Sequence, residues 1–425
     1  MMNRKLVVND LTFKGVLLLA IISLGLLVGG CSWFAWLPGV GGGGSKDDEE
    51  SSEPIKLEKF IAEADVRVAW KRGVGQGLGK KYVRLTPIVV ADRIVAADAY
   101  GGVFAFDRFN GKKIWANQFD PKNKKGFGVR ALLDRKDPSF VSGGVSTGDG
   151  LIFLGTTKGE IVALNVTDGT ESWRTQVGTE IGASPAVGDD EVFVHTIDDR
   201  LSALDISDGR VIWTADNQMP LLTLRGTASP TYAQGVVFSG TAGGKIAALR
   251  GENGEPIWEQ RLVLPEGRSE LDRMVDVDAS PLVSGSIVYG LAYQGNLVAF
   301  NRRDGRPLWQ VQLSGFQDMA EGYGQIYVVD ESDKILALDK ETGEISWESE
   351  SFLRRELTAP VAYSNYLVVG DAEGYLHFLA QRDGRMIARR KIDGDGIRTK
   401  VSVAEDTVFV LANSGNLYAL SLRLK

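Results

Sequence analysis

From about residue 65 onward the chain alternates short apolar runs with breaks rich in glycine and aspartate. Leu151-Ile-Phe-Leu154, residues 160–164 and residues 171–176 are brief and rich in β-branched, leucine and aromatic side chains. That pattern predicts strands. Asp-Gly and Asn-Gly pairs stand between them, the strongest short-range signal for a hairpin. No stretch in this region holds apolar residues on a helical period. The pattern also recurs. Tryptophan falls at 70, 115, 173, 213, 258, 309 and 347, and from Trp115 onward each is preceded four residues earlier by a glycine: Gly111, Gly169, Gly209, Gly254, Gly305 and Gly343. Ten residues before each of these six tryptophans stands an alanine, at 105, 163, 203, 248, 299 and 337. Four residues before the alanine comes Gly101, Gly159, Asp199, Gly244, Gly295 or Asp333. Aspartate tolerates the left-handed turn that glycine favours.

A seventh copy runs through Gly374, Phe378-Leu379 and Asp383-Gly384, with Ala388 in the tryptophan position. An eighth begins at Gly415 and Ala419-Leu420 and stops at Lys425, while an orphan strand, residues 65–70 ending in Trp70, stands at the other end of the body. Units of about 40–45 residues with four strands read as propeller blades, because one such sheet cannot bury both faces alone. The pattern therefore predicts an all-β chain. Residues 57–425 form an eight-bladed β-propeller of four-stranded antiparallel blades, closed by the N-terminal strand. The tryptophans are expected to pack between neighbouring blades, the alanines to permit close packing near the crowded axis, and Ala388 to mark a less regular seventh blade.

Composition narrows the chemistry. The 51 glycines in 425 residues accompany ordinary hydrophobicity, 44%, so they signal turns rather than disorder. One cysteine excludes an intrachain disulfide and a cysteine-rich zinc site. Two histidines leave little for a histidine metal site or a catalytic triad. His195 and His377 fall at different places in their repeats, which reads as structural use. A net charge of −7 argues against a general nucleic-acid binder.

The first 30 residues carry Arg4, Lys5 and Lys14, then the uncharged apolar run 15–30. At 16 residues that run is shorter than a membrane span needs and reads as the core of a secretory signal. It ends in Val28-Gly29-Gly30-Cys31, which resembles the lipobox of bacterial lipoproteins. That resemblance implies cleavage before Cys31, lipidation of Cys31, and, with Ser32 next, sorting to the outer membrane on its periplasmic face. Residues 31–56 then read as a lipidated flexible tether, with Trp33, Phe34 and Trp36 beside the lipid and glycines 41–44 as linker. Neither this run nor Gly73–Lys81 is a phosphate loop, since no glycine–lysine–hydroxyl sequence completes either.

The repeat, Gly-x-φ-x-Ala-Leu-x-x-x-(Asp/Thr)-Gly-x-x-φ-Trp, resembles the pyrroloquinoline-quinone (PQQ)-type propeller repeat. Both quinoprotein dehydrogenases and non-enzymatic scaffolds use it. The lipobox, short tether and eight units together resemble the BamB family, the propeller lipoproteins of the outer-membrane β-barrel assembly machinery. The most specific stretches lie between repeats: Met219-Pro-Leu-Leu-Thr-Leu-Arg-Gly226, residues 270–278 and Leu291-Ala-Tyr-Gln-Gly-Asn-Leu297.

The resemblance implies a scaffold without catalytic residues, cofactor or metal. It implies a surface that grips the POTRA domains of BamA through Leu222, Leu224 and Arg225, with Asp276 and Asp278 supporting Arg225. It also implies membership of the assembly complex beside its other subunits, and unfolded outer-membrane proteins as clients. Two leucines and an arginine have the composition of a binding hot spot, although Leu222 and Leu224 also suit ordinary core-facing strand positions, and Asp276 and Asp278 ordinary turn capping beside Arg273. A basic insertion, 121–136, exceeds what its unit needs and reads as solvated surface, with anionic headgroups or another subunit as possible contacts. Two alternatives stand beside this reading. One is a periplasmic scaffold with another partner. The other is a quinoprotein dehydrogenase, which lacks here the adjacent cysteine pair typical of that class.

Overall fold

The computed structural model describes residues 53–78, 83–119, 140–217, 228–264 and 275–425. The signal, Cys31, the tether to residue 52 and the basic insertion lie outside the described residues. Residues 53–425 form one compact unit. It is an eight-bladed β-propeller of eight four-stranded antiparallel sheets. Blade one comprises Ile88–Val90, Arg93–Ala97, Gly102–Asp107 and Lys113–Gln118, ordered in space as in sequence. Six further blades repeat this order. The first strands line the axis, where Ile88–Val90 neighbours both Val141–Gly148 of blade two and Ser402–Ala404 of blade eight. The fourth strands form the outer rim.

Blade eight is built from both ends of the unit. Ser402–Ala404, Thr407–Leu411 and Asn416–Leu424 supply three strands, and Ala64–Gly73 supplies the fourth. Its pairing runs from Ala64 opposite Leu424 to Gly73 opposite Asn416, with one irregularity between Val68 and Trp70. Just before this strand, residues 53–63 run along blade seven. The Ile55 N–H donates to Leu353 O at 3.1 Å, Arg389 Nη2 to Glu58 O at 2.9 Å, and the Glu63 N–H to Ile387 O at 3.0 Å.

The register explains the conserved spacing within the repeats. Each repeat alanine sits opposite its tryptophan on the third and fourth strands: Ala163 faces Trp173, Ala248 faces Trp258 and Ala299 faces Trp309. On the other side of the alanine, the second strand presents an aromatic ring in five of these blades and in blade eight, as with Phe153, Phe238 and Tyr289. The alanine lets the two rings meet over its methyl group, with centroids 5.8 Å apart for Phe153 and Trp173 and 5.9 Å for Phe238 and Trp258. These alanines lie mid-blade on the third strand, so their role is to make room for the indole. They do not crowd the axis as the sequence suggested.

Each indole then reaches the next blade. Trp173 Nε1 donates to Ile206 O at 2.9 Å, Trp258 Nε1 to Arg302 O at 2.9 Å and Trp347 Nε1 to Gln381 O at 2.9 Å. The acceptors lie in the turn between the third and fourth strands of the following blade. The glycine of that turn lies flat against the ring. Gly305 has φ +69, and a Cβ there would stand 2.6 Å from Trp258 Cδ2. Trp70 docks on blade one in the same way, donating to Arg108 O at 3.1 Å beneath Gly111.

The seventh blade is regular, contrary to the expectation from Ala388. It keeps four strands and the common register, with the large and small residues exchanged: Phe378 stands where the alanine would be, opposite Ala388. The reason lies in blade eight. Its third and fourth strands come from opposite ends of the chain, so no turn joins them and an indole at 388 would have nothing to dock on. Asp199 and Asp333, the two aspartates in glycine positions, adopt φ of 59° and 69°, as the sequence predicts.

Trp258→Ala is expected to cost about 3–5 kcal/mol in denaturant unfolding, through lost packing and an orphaned turn carbonyl. Ala388→Trp restores the repeat consensus, yet it should lower stability by about 1–3 kcal/mol, because it overpacks against buried Phe378.

Candidate partner-binding surface and axial cavity

Of the residues that the sequence marks for partner binding, Leu222, Leu224 and Arg225 lie outside the described residues, as does Arg273. Asp276 and Asp278 are described. They lie in the connection leading to the first strand of blade five, Leu282–Ser284, Asp276 buried and Asp278 half-buried. Asp276 is 2% exposed and frames the loop. Its carbonyl accepts from the Tyr293 N–H at 2.8 Å, and its Oδ1 accepts from the Val277 N–H at 2.9 Å.

Asp278 faces the axis. There a cavity of about 790 Å³ is lined by Asp278, Arg84, Gln317, Asp318, Arg398 and Lys400 together with the first strands. Asp318 binds Lys400 Nζ at 3.0 Å and accepts from the Ser280 N–H at 2.9 Å. Burial alone would raise the Asp318 carboxyl, but the Lys400 ammonium and the Ser280 donors hold it well below the usual carboxylate range. Among the described residues Asp278 Oδ1 has no hydrogen-bond partner. Burial pushes its carboxyl up to about 6 against the pull of the Arg84 guanidinium. Arg84 in turn lies over the Phe316 ring at 6.0 Å, and Phe316 meets Tyr293 edge-on at 6.5 Å. Arg84 thus links Asp278 at the cavity to Phe316 and Tyr293, and Tyr293 in turn to the Asp276 main chain.

The sequence did not reveal Arg84, Asp318 or Lys400. They come from different blades and carry no local motif, and only the closure of the ring brings Lys400 to Asp318. The two histidines are buried and each is tied to an aspartate. His195 Nε2 meets Asp199 Oδ1 at 2.9 Å, and His377 Nε2 meets Asp371 Oδ2 at 2.9 Å. Burial lowers the His377 imidazole, against the hydrogen bond to Asp371. Asp371 also accepts from Arg355 Nε at 2.9 Å, and Arg355 Nη1 donates to Ile55 O at 2.9 Å. His377 therefore supports the residues that hold the N-terminal segment on blade seven. Among the described residues no group of three or more His, Cys, Asp or Glu side chains is placed to hold a metal ion.

The indole-docked units define a propeller of the PQQ-repeat class. The sequence profile of the family described as "Outer membrane protein assembly factor BamB" matches residues 101–349. The protein of that name from Salmonella typhimurium is 39% identical over 96% of this chain and 99% of its own. The chain belongs to the BamB family of outer membrane protein assembly factors. The crystal structure of BamB from Moraxella catarrhalis superposes with a TM-score of 0.73 at 25% identity, covering 84% of this chain and all of that one. A quinohemoprotein alcohol dehydrogenase from Pseudomonas putida superposes with a TM-score of 0.67 at 13% identity over 84% of this chain and 76% of its own, a likeness of fold alone.

The raised Asp278 carboxyl has a pH consequence. The folded protein keeps a proton there that the unfolded chain releases near pH ~4. The associated stability is complete below about pH 4 and lost as pH rises through about 6. Between about pH 5 and about pH 7 the parent should therefore lose about 1 kcal/mol more unfolding free energy than Asp278→Asn, measured by denaturant titration at both pH values.

Proposed function

We propose that this protein is a non-enzymatic scaffold of the outer-membrane β-barrel assembly machinery. In this reading it is held by lipid on Cys31 at the periplasmic face of the outer membrane and binds the POTRA domains of BamA. The observation that carries the reading is the family match along nearly the whole chain, at 37–39% identity to proteins named as assembly factors. A closed ring of eight blades suits a part that orients a partner. Leu222, Leu224 and Arg225 are the proposed grip. Asp276, framing its loop, and Asp278, at the axial cavity, are the proposed support for Arg225, whose guanidinium suits bidentate contact with a carboxylate. The other subunits of the complex and unfolded outer-membrane proteins complete the proposed partners. The fourth strands leave apolar side chains at the rim, including Ile212, Ile257 and Leu308, which suits transient pairing with a client strand.

The full chain titrated calorimetrically with the POTRA domains of BamA from the same genome should bind. Arg225→Glu should weaken that binding by about 30-fold or more while the ring stays folded. Folded parent that fails to bind would move the assignment to a scaffold with another partner. Lipidation is checked separately, by the mass of the N-terminal peptide from membrane-extracted protein, which should begin at Cys31 and carry acyl chains.

A further inference from the structure

We propose that the outer flank of blades seven and eight is a docking surface for anionic lipid headgroups. Charge is unevenly spread around the rim. The fourth strand of blade seven, Met386–Lys391, carries Arg389, Arg390 and Lys391 with no acid. That of blade eight, Ala64–Gly73, carries Arg67, Lys71 and Arg72 against Asp65 alone. The other six fourth strands carry formal charges between −1 and +1. Six cations on two outer strands therefore stand out on a chain whose net charge is −7.

The two strands lie side by side, because the missing indole at Ala388 leaves the N-terminal strand free to approach. Arg390 Nη1 donates to Val66 O at 2.5 Å. The ion pairs on this flank use other groups: Arg385 with Glu63 and Asp383, and Lys425 with Asp65. Among the described residues no ion pair joins Arg67, Lys71, Arg72, Arg390 or Lys391 to an acid. Arg72 Nε instead donates to Gly111 O at 2.6 Å. The two lysines rest on tyrosine rings. Lys71 Nζ stands 5.1 Å from the Tyr418 centroid, and Lys391 Nζ stands 5.2 Å from that of Tyr375. Both lysines line a cleft of about 470 Å³ that also holds Asp393 and Asp395; Asp393 is already occupied by Ser414, Tyr418 and the Asp395 N–H. Exposed ammonium groups held over tyrosine rings, Tyr418 buried and Tyr375 half-buried, suit contact with a phosphate-bearing headgroup.

The path of the N-terminal segment points the same way. Residues 53–63 lie along blade seven, held by Arg354 at Glu53 O, by Arg355 at Ile55 O and by Arg389 at Glu58 O and over Phe60. The chain coming from the proposed anchor thus joins the ring on its cationic flank. In this respect the inference rests on the tethered reading, although the surface itself does not require attached lipid.

The test uses the full chain with Cys31→Ser, titrated with vesicles of phosphatidylcholine alone and of phosphatidylcholine mixed with phosphatidylglycerol. The preference for anionic vesicles should be at least about tenfold at low salt and should fade in high salt. Lys71→Glu, Arg390→Glu and Lys391→Glu combined should abolish it. Arg261→Glu, Arg303→Glu and Arg306→Glu combined change the net charge equally on blades four and five and should leave it intact. The glutamine versions of the first set guard against misfolding and should reduce the preference in the same direction. Equal loss in both charge-reversed sets, or loss in neither, overturns the proposal, as does flank-dependent capture of an acidic protein without any lipid preference. Failure of lipidation at Cys31 would refute the anchor alone, because the vesicle measurement proceeds without it.

Discussion

The ring depends on one contact repeated between blades: an indole laid flat on the glycine of the neighbour's turn, with its N–H on a carbonyl of the same turn. A propeller blade has two apolar faces and cannot be stable alone, so what fixes its neighbour fixes the fold. Dispersion and area burial would allow two sheets to slide. The indole hydrogen bond does not, because it couples a buried ring to one carbonyl in one turn. The glycine is required by the same contact, since at Gly305 any side chain would collide with Trp258. The alanine across the strand is required as well, because it lets the ring lie down against the aromatic of the second strand. Three sequence positions that look like independent conserved features are one interlocking contact.

Where that contact is absent, the structure shows what replaces it. Between blades seven and eight the interface is made by an apolar cluster that joins Phe378, Ile387 and Ala388 to Ala64, Val66 and Leu420, with Arg390 donating to Val66 O and the Tyr363 hydroxyl to Asp406 O; residues 53–63 are held on blade seven by arginines. Arg355 is 2% exposed and sits between Asp371 and the N-terminal segment. Burial by itself would raise Asp371, but hydrogen bonds from His377, the Tyr375 N–H and Arg355 hold it below its ordinary range, so the pair stays charged. A charged, buried joint of this kind tolerates loss of a partner poorly. It holds the N-terminal segment on blade seven through directed bonds.

The fold was legible because the repeat writes the same contact many times. Six tryptophans in a fixed frame outweigh the ambiguity of any one short strand, and the split eighth copy announces closure. The reason for each position was less legible. Spacing shows that alanine and tryptophan recur ten residues apart, but the facing of Ala248 and Trp258 depends on hairpin register, which the count alone does not reveal. Ala388 looked like decay of the pattern, and only the missing turn in blade eight explains it. The site was legible in part. Asp276 and Asp278 are two residues apart, yet one frames a loop and the other reaches the axis. Lys400 and Asp318 meet only because the ring closes, and no local sequence signal marks such a pair.

The pairing of Ala64 with Leu424 also sets an order of events. Synthesis proceeds from the N-terminus, so the strand 64–73 emerges before any partner exists for it. It must wait, unpaired and apolar on one side, until the last residues arrive. The other blades form from hairpins of neighbouring strands and fold locally, whereas this one joins the most distant parts of the sequence and is the slow step by topology. A chain cut short by even one strand at its C-terminus would carry seven finished blades and an open seam. The strand 416–424 therefore acts as a completeness check: the ring shuts only once that strand is present to take up 64–73.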